Sequence, residues 1–253
     1  MIVDAYNNTW VVENSSSFLG GDEFGVERLI EVMDAGAVDM AMATSLGQLP
    51  DNDYIADCVR RFPDRIFGFA VVDPRRDDAV DEVLRSKEIG LVGVKLHPTM
   101  HGYHVCDHGL LDPIFRACSE AGLAVLFNAL DDAFCAPLGM EEIARGFADV
   151  PTLIAHMGTV WNTTEAILVA GRTPNIYLET SSTQLLEVKT AYDRLGPDRI
   201  VMGTDWPASH MDLERLKIAR AIPDPVDRAK VEGGTLAALL RLPVPVSEQA
   251  TPG

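Results

Sequence analysis

Residues 66–97 read IFGFAVVDPRRDDAVDEVLRSKEIGLVGVKLH. The run IFGFAVV (66–72) is apolar, rich in aromatic and β-branched residues, and stops at Asp73-Pro74. DAVDEVLRSKEIG (78–90) spaces its apolar residues as a helix does and closes on glycine, a common C-cap signal. LVGVKLH (91–97) is a second apolar run, ending on a histidine. Strand, helix and strand within about 30 residues make one βαβ unit, whose two strands lie parallel.

The same alternation extends in both directions. Further strands are predicted near residues 2–6, 38–43, 123–128, 152–156, 175–180 and 199–204, giving eight in all. Amphipathic stretches fill the intervals, among them FGVERLIEVMDAG, DYIADCVRRF, LLDPIFRACSEAG, MEEIARGFADV, TEAILVAG and LLEVKTAYDRLG. After the eighth strand come MDLERLKIARAI and DPVDRAKVEGGTLAALLRL, so the last unit is expected to carry two helices. Eight repeats predict a (β/α)8 barrel over residues 1–242, followed by a frayed tail at 243–253. An open doubly wound sheet is the competing architecture, but its glycine-rich phosphate loop is missing: the first strand runs straight into Asn7-Asn8-Thr9.

At 253 residues the chain could hold one barrel or two smaller domains, and no low-complexity linker divides it. A content of 47% hydrophobic and 23% charged residues supports a substantial core. The formal charge of −17, with no Lys/Arg cluster to reverse it locally, argues against nucleic acid or an anionic membrane as a partner. The opening MIVDAYNNTW lacks the basic flank and long apolar run of a secretion signal, so a soluble, cytoplasmic protein is expected. Cys58, Cys106, Cys118 and Cys135 form no C-x-x-C pair and read as reduced packing residues.

In such a barrel the loops that follow the strands build the site. The strand ends carry a polar ring: Tyr6 and Asn8, Ser45, Asp73, His97, Asn128, His156, Thr180 and Ser181, and Asp205. Asp73 and Asp205, each close to a proline, could equally be turn or cap residues, and Asn128 could serve loop backbone. Strand alternation sorts the ring further. If His97 faces inward so does Lys95, and by the same rule Asp4, Tyr6 and Asn8 share a face, as do Ala124, Leu126 and Asn128, and Val201, Gly203 and Asp205. A lysine inside a barrel needs a carboxylate nearby, so Lys95 is expected to pair with Asp4 or Asp205, either as a structural ion pair or as a group that binds a substrate carboxylate and tunes its neighbours.

The segment HPTMHGYHVCDH holds His97, His101, His104 and His108, four of the six histidines. Their spacing matches no common zinc pattern, so the segment reads as a mobile loop covering substrate rather than a metal centre. His210 reads as a surface residue.

Five motifs together resemble the amidohydrolase-related family that includes aminocarboxymuconate-semialdehyde decarboxylase and the dicarboxylate lactonases. They are V-D-A at 3–5, G-V-K-L-H-P at 93–98, L-I-A-H-M-G at 153–158, N-I-Y-L-E-T-S at 175–181 and G-T-D-W-P at 203–207. The resemblance runs from Ile2 to about Leu242. It implies a His-x-His metal pair on the first strand, where this chain has Tyr6 and Asn8, and a metal-binding histidine ending strand five, where it has Asn128. A phenol and two carboxamides are poor ligands for zinc or manganese, so no cofactor is expected. Two positions keep the family pattern: His156, matching a histidine that polarises a substrate carbonyl, and Asp205, matching an aspartate that moves protons.

The resemblance therefore implies a metal-independent hydrolase or decarboxylase acting on a small cyclic or carboxylated molecule. Asp205 would be the base and His156 the acid or oxyanion partner, with Lys95, His97, Tyr6, Asn8, Asn128 and Trp206 binding substrate. A homodimer would fit related barrels. Two alternatives stay open: a catalytically silent barrel that binds a ligand or partner, and an enzyme whose metal has moved to His97, His101 or Asp205.

Overall fold

A computed structural model of the protein describes residues 1–11 and 24–243. From residue 244 onward the expected tail lies outside the described residues. Eight parallel strands run in sequence order: β1 (Val3–Asp4), β2 (Met40–Ala43), β3 (Ile66–Val71), β4 (Gly93–Leu96), β5 (Ala124–Phe127), β6 (Thr152–Ile154), β7 (Ile176–Glu179) and β8 (Ile200–Val201). The seam between the first and last strands closes through backbone bonds from Ala5 N to Met202 O (2.8 Å) and from Asp205 N to Tyr6 O (2.7 Å). The eight-stranded barrel is thus present, each strand where the apolar runs place it.

Alternation along the strands separates two apolar layers. Met40, Met42, Phe67, Phe69, Leu126, Leu153 and Val201 fill the barrel interior. Ala41, Val94, Val125, Ile154, Ile176 and Ile200 face outward onto the helices. Gly93 is required by this packing, because a Cβ there would fall 2.3 Å from the Phe69 ring.

Around the strands lie α1 (Val26–Ala35), α2 (Asn52–Arg61), α3 (Ala79–Glu88), the single turn α4 (Pro98–His101), α5 (His108–Ala121), α6 (Pro137–Gly146), α7 (Thr159–Arg172), α8 (Leu185–Leu195) and α9 (Met211–Ala221). The stretch expected as one final helix is broken into α10 (Pro225–Ala229), a π-turn at Lys230–Gly234 and α11 (Thr235–Leu240). The break falls at Gly233, which lies so close to Met1 O and Val3 N that a side chain would collide with both. Leu236 and Ala237 of α11 then join the interior layer. Among the described residues no helix is long and apolar enough to cross a membrane.

Candidate active site at the carboxyl ends of the strands

Lys95 stands in the middle of β4 with its side chain in the barrel and only 1% of its surface exposed. Its Nζ donates to Asn8 Oδ1 (2.7 Å) and to Ser45 O (3.2 Å), and it lies 4.8 Å from the centroid of the Tyr6 ring. Asn8 in turn donates from Nδ2 to Asp205 Oδ1 at 2.8 Å. Burial pulls the lysine below its ordinary pKa and pushes the aspartate above its own, while the attraction between the two charges opposes both shifts. Of the two carboxylates expected beside Lys95, Asp205 is the one linked to it, through Asn8 rather than by a direct ion pair.

The expectation for Asp4 is corrected. Its carboxylate receives Thr204 N (3.0 Å), Thr204 Oγ1 and Tyr6 N (3.2 Å). The bond back from Tyr6 bends the chain just after β1, so strict alternation fails there. Val3 and Ala5 both join the interior layer, and so does Tyr6.

A second chain of contacts crosses the site. Asn128 Nδ2 approaches the Tyr6 hydroxyl (2.6 Å) and His156 Nε2 (3.1 Å), and the Tyr6 and His156 rings meet edge to face with centroids 5.1 Å apart. His156 Nδ1 is 2.9 Å from Ser181 Oγ, which donates to Glu179 Oε2 at 2.7 Å. Burial, reinforced by Lys95, holds the imidazole down to about 4, so it is neutral near pH 7. Burial pushes Glu179 up to about 8 against three donors that favour its anion.

His156 and Asp205 both adopt left-handed backbone, with φ of 58° and 60°. Non-glycine residues visit this region rarely, and such conformations gather at functional sites. His156 comes two residues after β6 and Asp205 four residues after β8, both in the connections at the carboxyl ends of the strands.

His97 caps α4, its Nδ1 accepting Met100 N (3.3 Å), and its ring packs on Gly47, where a Cβ would sit 2.8 Å away. Burial and Lys95 hold it down to about 3. The segment that follows, read from its sequence as a mobile loop, opens with the helical turn α4 and runs on without regular structure over residues 102–107. Thr99 is bonded to Asp132 (2.5 Å) and His101 Nε2 lies 3.0 Å from Gly47 O. His104 and His108 are exposed, against Ala133 O and Asp112, so the four histidines do not converge.

Other residues expected at the site stand apart. Trp206 is buried in the outer layer with Phe24 as a ring neighbour, and its carbonyl accepts Asn8 N (2.8 Å). Asp73 pairs with Arg75, Ser45 Oγ closes a turn on Asp51, and Thr180 Oγ1 donates to Glu214. His210 is exposed, as expected. A polar cleft of about 330 Å³ opens beside the barrel mouth, but Asp51, Asn52, Asp73 and Glu82 line it rather than the groups around Lys95.

The donor set does not suit a divalent cation. Among the described residues no three His, Cys, Asp or Glu side chains gather in a way that could hold a metal. Around the barrel mouth stand a phenol, two carboxamides and a lysine amine, with Asp205 bound to Asn8 and both His156 nitrogens already engaged.

The profile of a family described as Amidohydrolase matches residues 23–242. The chain is 25% identical over 191 residues to 4-sulfomuconolactone hydrolase of Hydrogenophaga intermedia, an alignment that takes in 66% of this chain and 60% of that one. The chain thus spans less than two thirds of the length of that curated relative. Among solved structures, 5-carboxyvanillate decarboxylase from Sphingomonas paucimobilis superposes with a TM-score of 0.76 at 15% identity, covering 96% of this chain and 99% of the other. A dihydroxybenzoic acid decarboxylase from Polaromonas, determined with bound manganese and an inhibitor, gives 0.74 at 16%, covering 95% and 97%. The fold is shared with these two. With the family profile covering nearly the whole barrel, the chain belongs to the amidohydrolase family.

Proposed function

We propose that this protein is a metal-independent hydrolase or decarboxylase acting on a small lactone or carboxylated molecule, with Asp205 as its acid/base group. The observation that carries the reading is the position of Lys95: a buried amine, held by Asn8 between Tyr6 and Asp205, among side chains poorly suited to a metal.

A lysine ammonium in a water-poor pocket supplies fixed positive charge where an oxyanion develops or a carboxylate binds. Asp205 keeps one oxygen on Asn8, while the other has, among the described residues, only the long 3.4 Å contact from Ser182 Oγ and is open to a proton. Raised toward neutrality by burial, Asp205 can serve as base in its ionised form, taking a proton from water that attacks a lactone carbonyl. In its protonated form it can return a proton to the carbon left by departing CO₂. Tyr6 and His156, packed edge to face and both in contact with Asn128, add further polar groups at the same end of the barrel. The activities of the relatives, lactone hydrolysis and aromatic decarboxylation, are consistent with one such acid/base arrangement.

The test is an assay of muconolactones and hydroxybenzoates with chelator present, together with elemental analysis of protein purified without added metal. Turnover that survives chelation and disappears in Asp205→Asn is the expected result. Activity that chelator abolishes and manganese or zinc restores would overturn the metal-independent reading.

A further inference from the structure

We infer that Ser181 and Glu179, in its carboxylate form, are positioning residues that fix His156 as the Nδ1–H tautomer, leaving the Tyr6 hydroxyl as the group that donates to the substrate. The donor role for Tyr6 rests on the function proposed above; the tautomer does not.

Hydrogen-bond direction is set through five buried side chains: Glu179, Ser181, His156, Asn128 and Tyr6. Glu179, fully buried, receives three donors: His156 N (3.0 Å) and Ser181 Oγ (2.7 Å) on Oε2, and Ser181 N (2.6 Å) on Oε1. Three donors on two oxygens define an acceptor, so the Ser181 proton points to Glu179. The Ser181 oxygen then meets His156 Nδ1, 2.9 Å away, with a lone pair, and Nδ1 must carry the hydrogen.

A neutral imidazole protonated at Nδ1 has its lone pair at Nε2. Asn128 Nδ2 stands 3.1 Å from Nε2 and 2.6 Å from the Tyr6 oxygen, so the amide donates one hydrogen to each. Tyr6 therefore accepts from Asn128 and keeps its own proton free for a further acceptor. Asn128 Oδ1, buried and without a partner among the described residues, is left as an acceptor beside it.

This polarity decides between the two groups that face a substrate oxygen. His156 has no proton to offer at Nε2. Its part is to hold Asn128 so that the amide faces Tyr6 with its nitrogen, and the phenol supplies the hydrogen bond to a developing oxyanion, a donor role of the kind other oxyanion sites give to tyrosine.

Reversal is equally definite. A proton on Glu179 Oε2 would turn Ser181 around, make Nδ1 the acceptor and place the hydrogen on Nε2. The relay is therefore set by the charge on a residue that does not itself reach the substrate.

Imidazole nitrogen shifts from two-bond proton–nitrogen correlation spectra of the intact protein read the tautomer without any turnover. Recorded above pH 8, where Glu179 is ionised, wild-type His156 is expected as Nδ1–H. Ser181→Ala removes the acceptor at Nδ1, and Glu179→Gln removes the charge that orients Ser181; each is expected to shift His156 toward Nε2–H, and Ser181→Ala keeps the test readable if Glu179→Gln folds poorly. An Nε2–H imidazole in the wild type, or a tautomer unmoved in a folded Ser181→Ala protein, overturns the relay. At the same pH, Tyr6→Phe is expected to lower kcat at least tenfold with His156 still Nδ1–H, and unchanged kcat would overturn the donor role alone. Absence of turnover in every protein, the wild type included, would count against the proposed function and leave the tautomer result standing.

Discussion

Lys95 and Asp205 are joined through Asn8, whose carboxamide accepts from the ammonium at 2.7 Å and donates to the carboxylate at 2.8 Å. The amide is satisfied at both ends in one orientation only, so it fixes which Asp205 oxygen is occupied and which is open. It also keeps the opposite charges from collapsing into a direct pair that would take the base out of service. A histidine here would offer one nitrogen to each neighbour in a different geometry; a carboxamide presents an acceptor and a donor side by side.

Asn8→Leu keeps the volume and removes both bonds. Among the described residues Lys95 then retains only Ser45 O as a hydrogen-bond acceptor, and the Asp205 carboxylate retains only the long contact from Ser182. Leaving buried charged groups short of partners is expected to cost about 2–4 kcal/mol. Thermal denaturation of the variant checks this, and a midpoint within a degree of wild type would mean that the bridge contributes nothing.

Lys95→Met removes the ammonium that favours the Asp205 carboxylate. Burial already raises the aspartate, and Lys95 is the first of the influences that lower it. Since hydrolysis needs the ionised base, activity falls on the acid side as Asp205 takes up its proton. In Lys95→Met that limb is expected at higher pH, and kcat/KM at its plateau about 100-fold lower, the scale of losing one oxyanion-stabilising group. A pH profile of kcat/KM for both proteins is the check.

Much of this site could be read before the fold was seen, and the residues show why. Lys95 and Asn128 lie in phase with apolar neighbours on short regular strands, so alternation placed them inward correctly. Asp4 escaped the same rule because Tyr6 N turns back to its carboxylate, a bend of the backbone that no side-chain pattern records. Glu179 was missed for a different reason. It is the last residue of β7, just before the polar pair Thr180 and Ser181, yet it is in phase with Ser181 and is buried completely. An acidic residue inside an otherwise apolar strand was the available signal. The histidine-rich segment drew attention by composition, but its side chains diverge because a helical turn and a cap set their directions.

Asp4→Asn tests the burial of the carboxylate that ties the first strand to the last. Burial raises Asp4 from 3.8 to about 6. The folded state thus holds this proton more tightly than the unfolded chain does. The stabilisation is fully present below pH 3.8 and is lost as pH rises through 6. Relative to Asp4→Asn, the wild type should lose up to about 3 kcal/mol across that window, two pKa units at 1.36 kcal/mol each. Urea denaturation of both proteins at several pH values measures the difference, and a constant gap would show that Asp4 titrates as it does in the unfolded chain.

Gly203→Ala probes how closely the strands pack where the two polar chains run side by side. A Cβ at Gly203 would stand 2.2 Å from Glu179 Oε1 and 3.1 Å from Tyr6 N. Neither neighbour has room to yield: the carboxylate is fixed by three hydrogen bonds, and the Tyr6 amide belongs to backbone bonded across the barrel seam. Overpacking at a rigid site costs about 1–3 kcal/mol, with more expected where a buried carboxylate loses its donors as it moves. The variant should therefore melt at lower temperature and also disturb His156, since a displaced Glu179 no longer holds Ser181. Calorimetry with the imidazole spectrum of the same sample separates the two effects. A lower melting temperature with His156 unchanged would mean that the strand seam moved and the relay followed it intact, whereas loss of both would place Gly203 as the space that Glu179 needs.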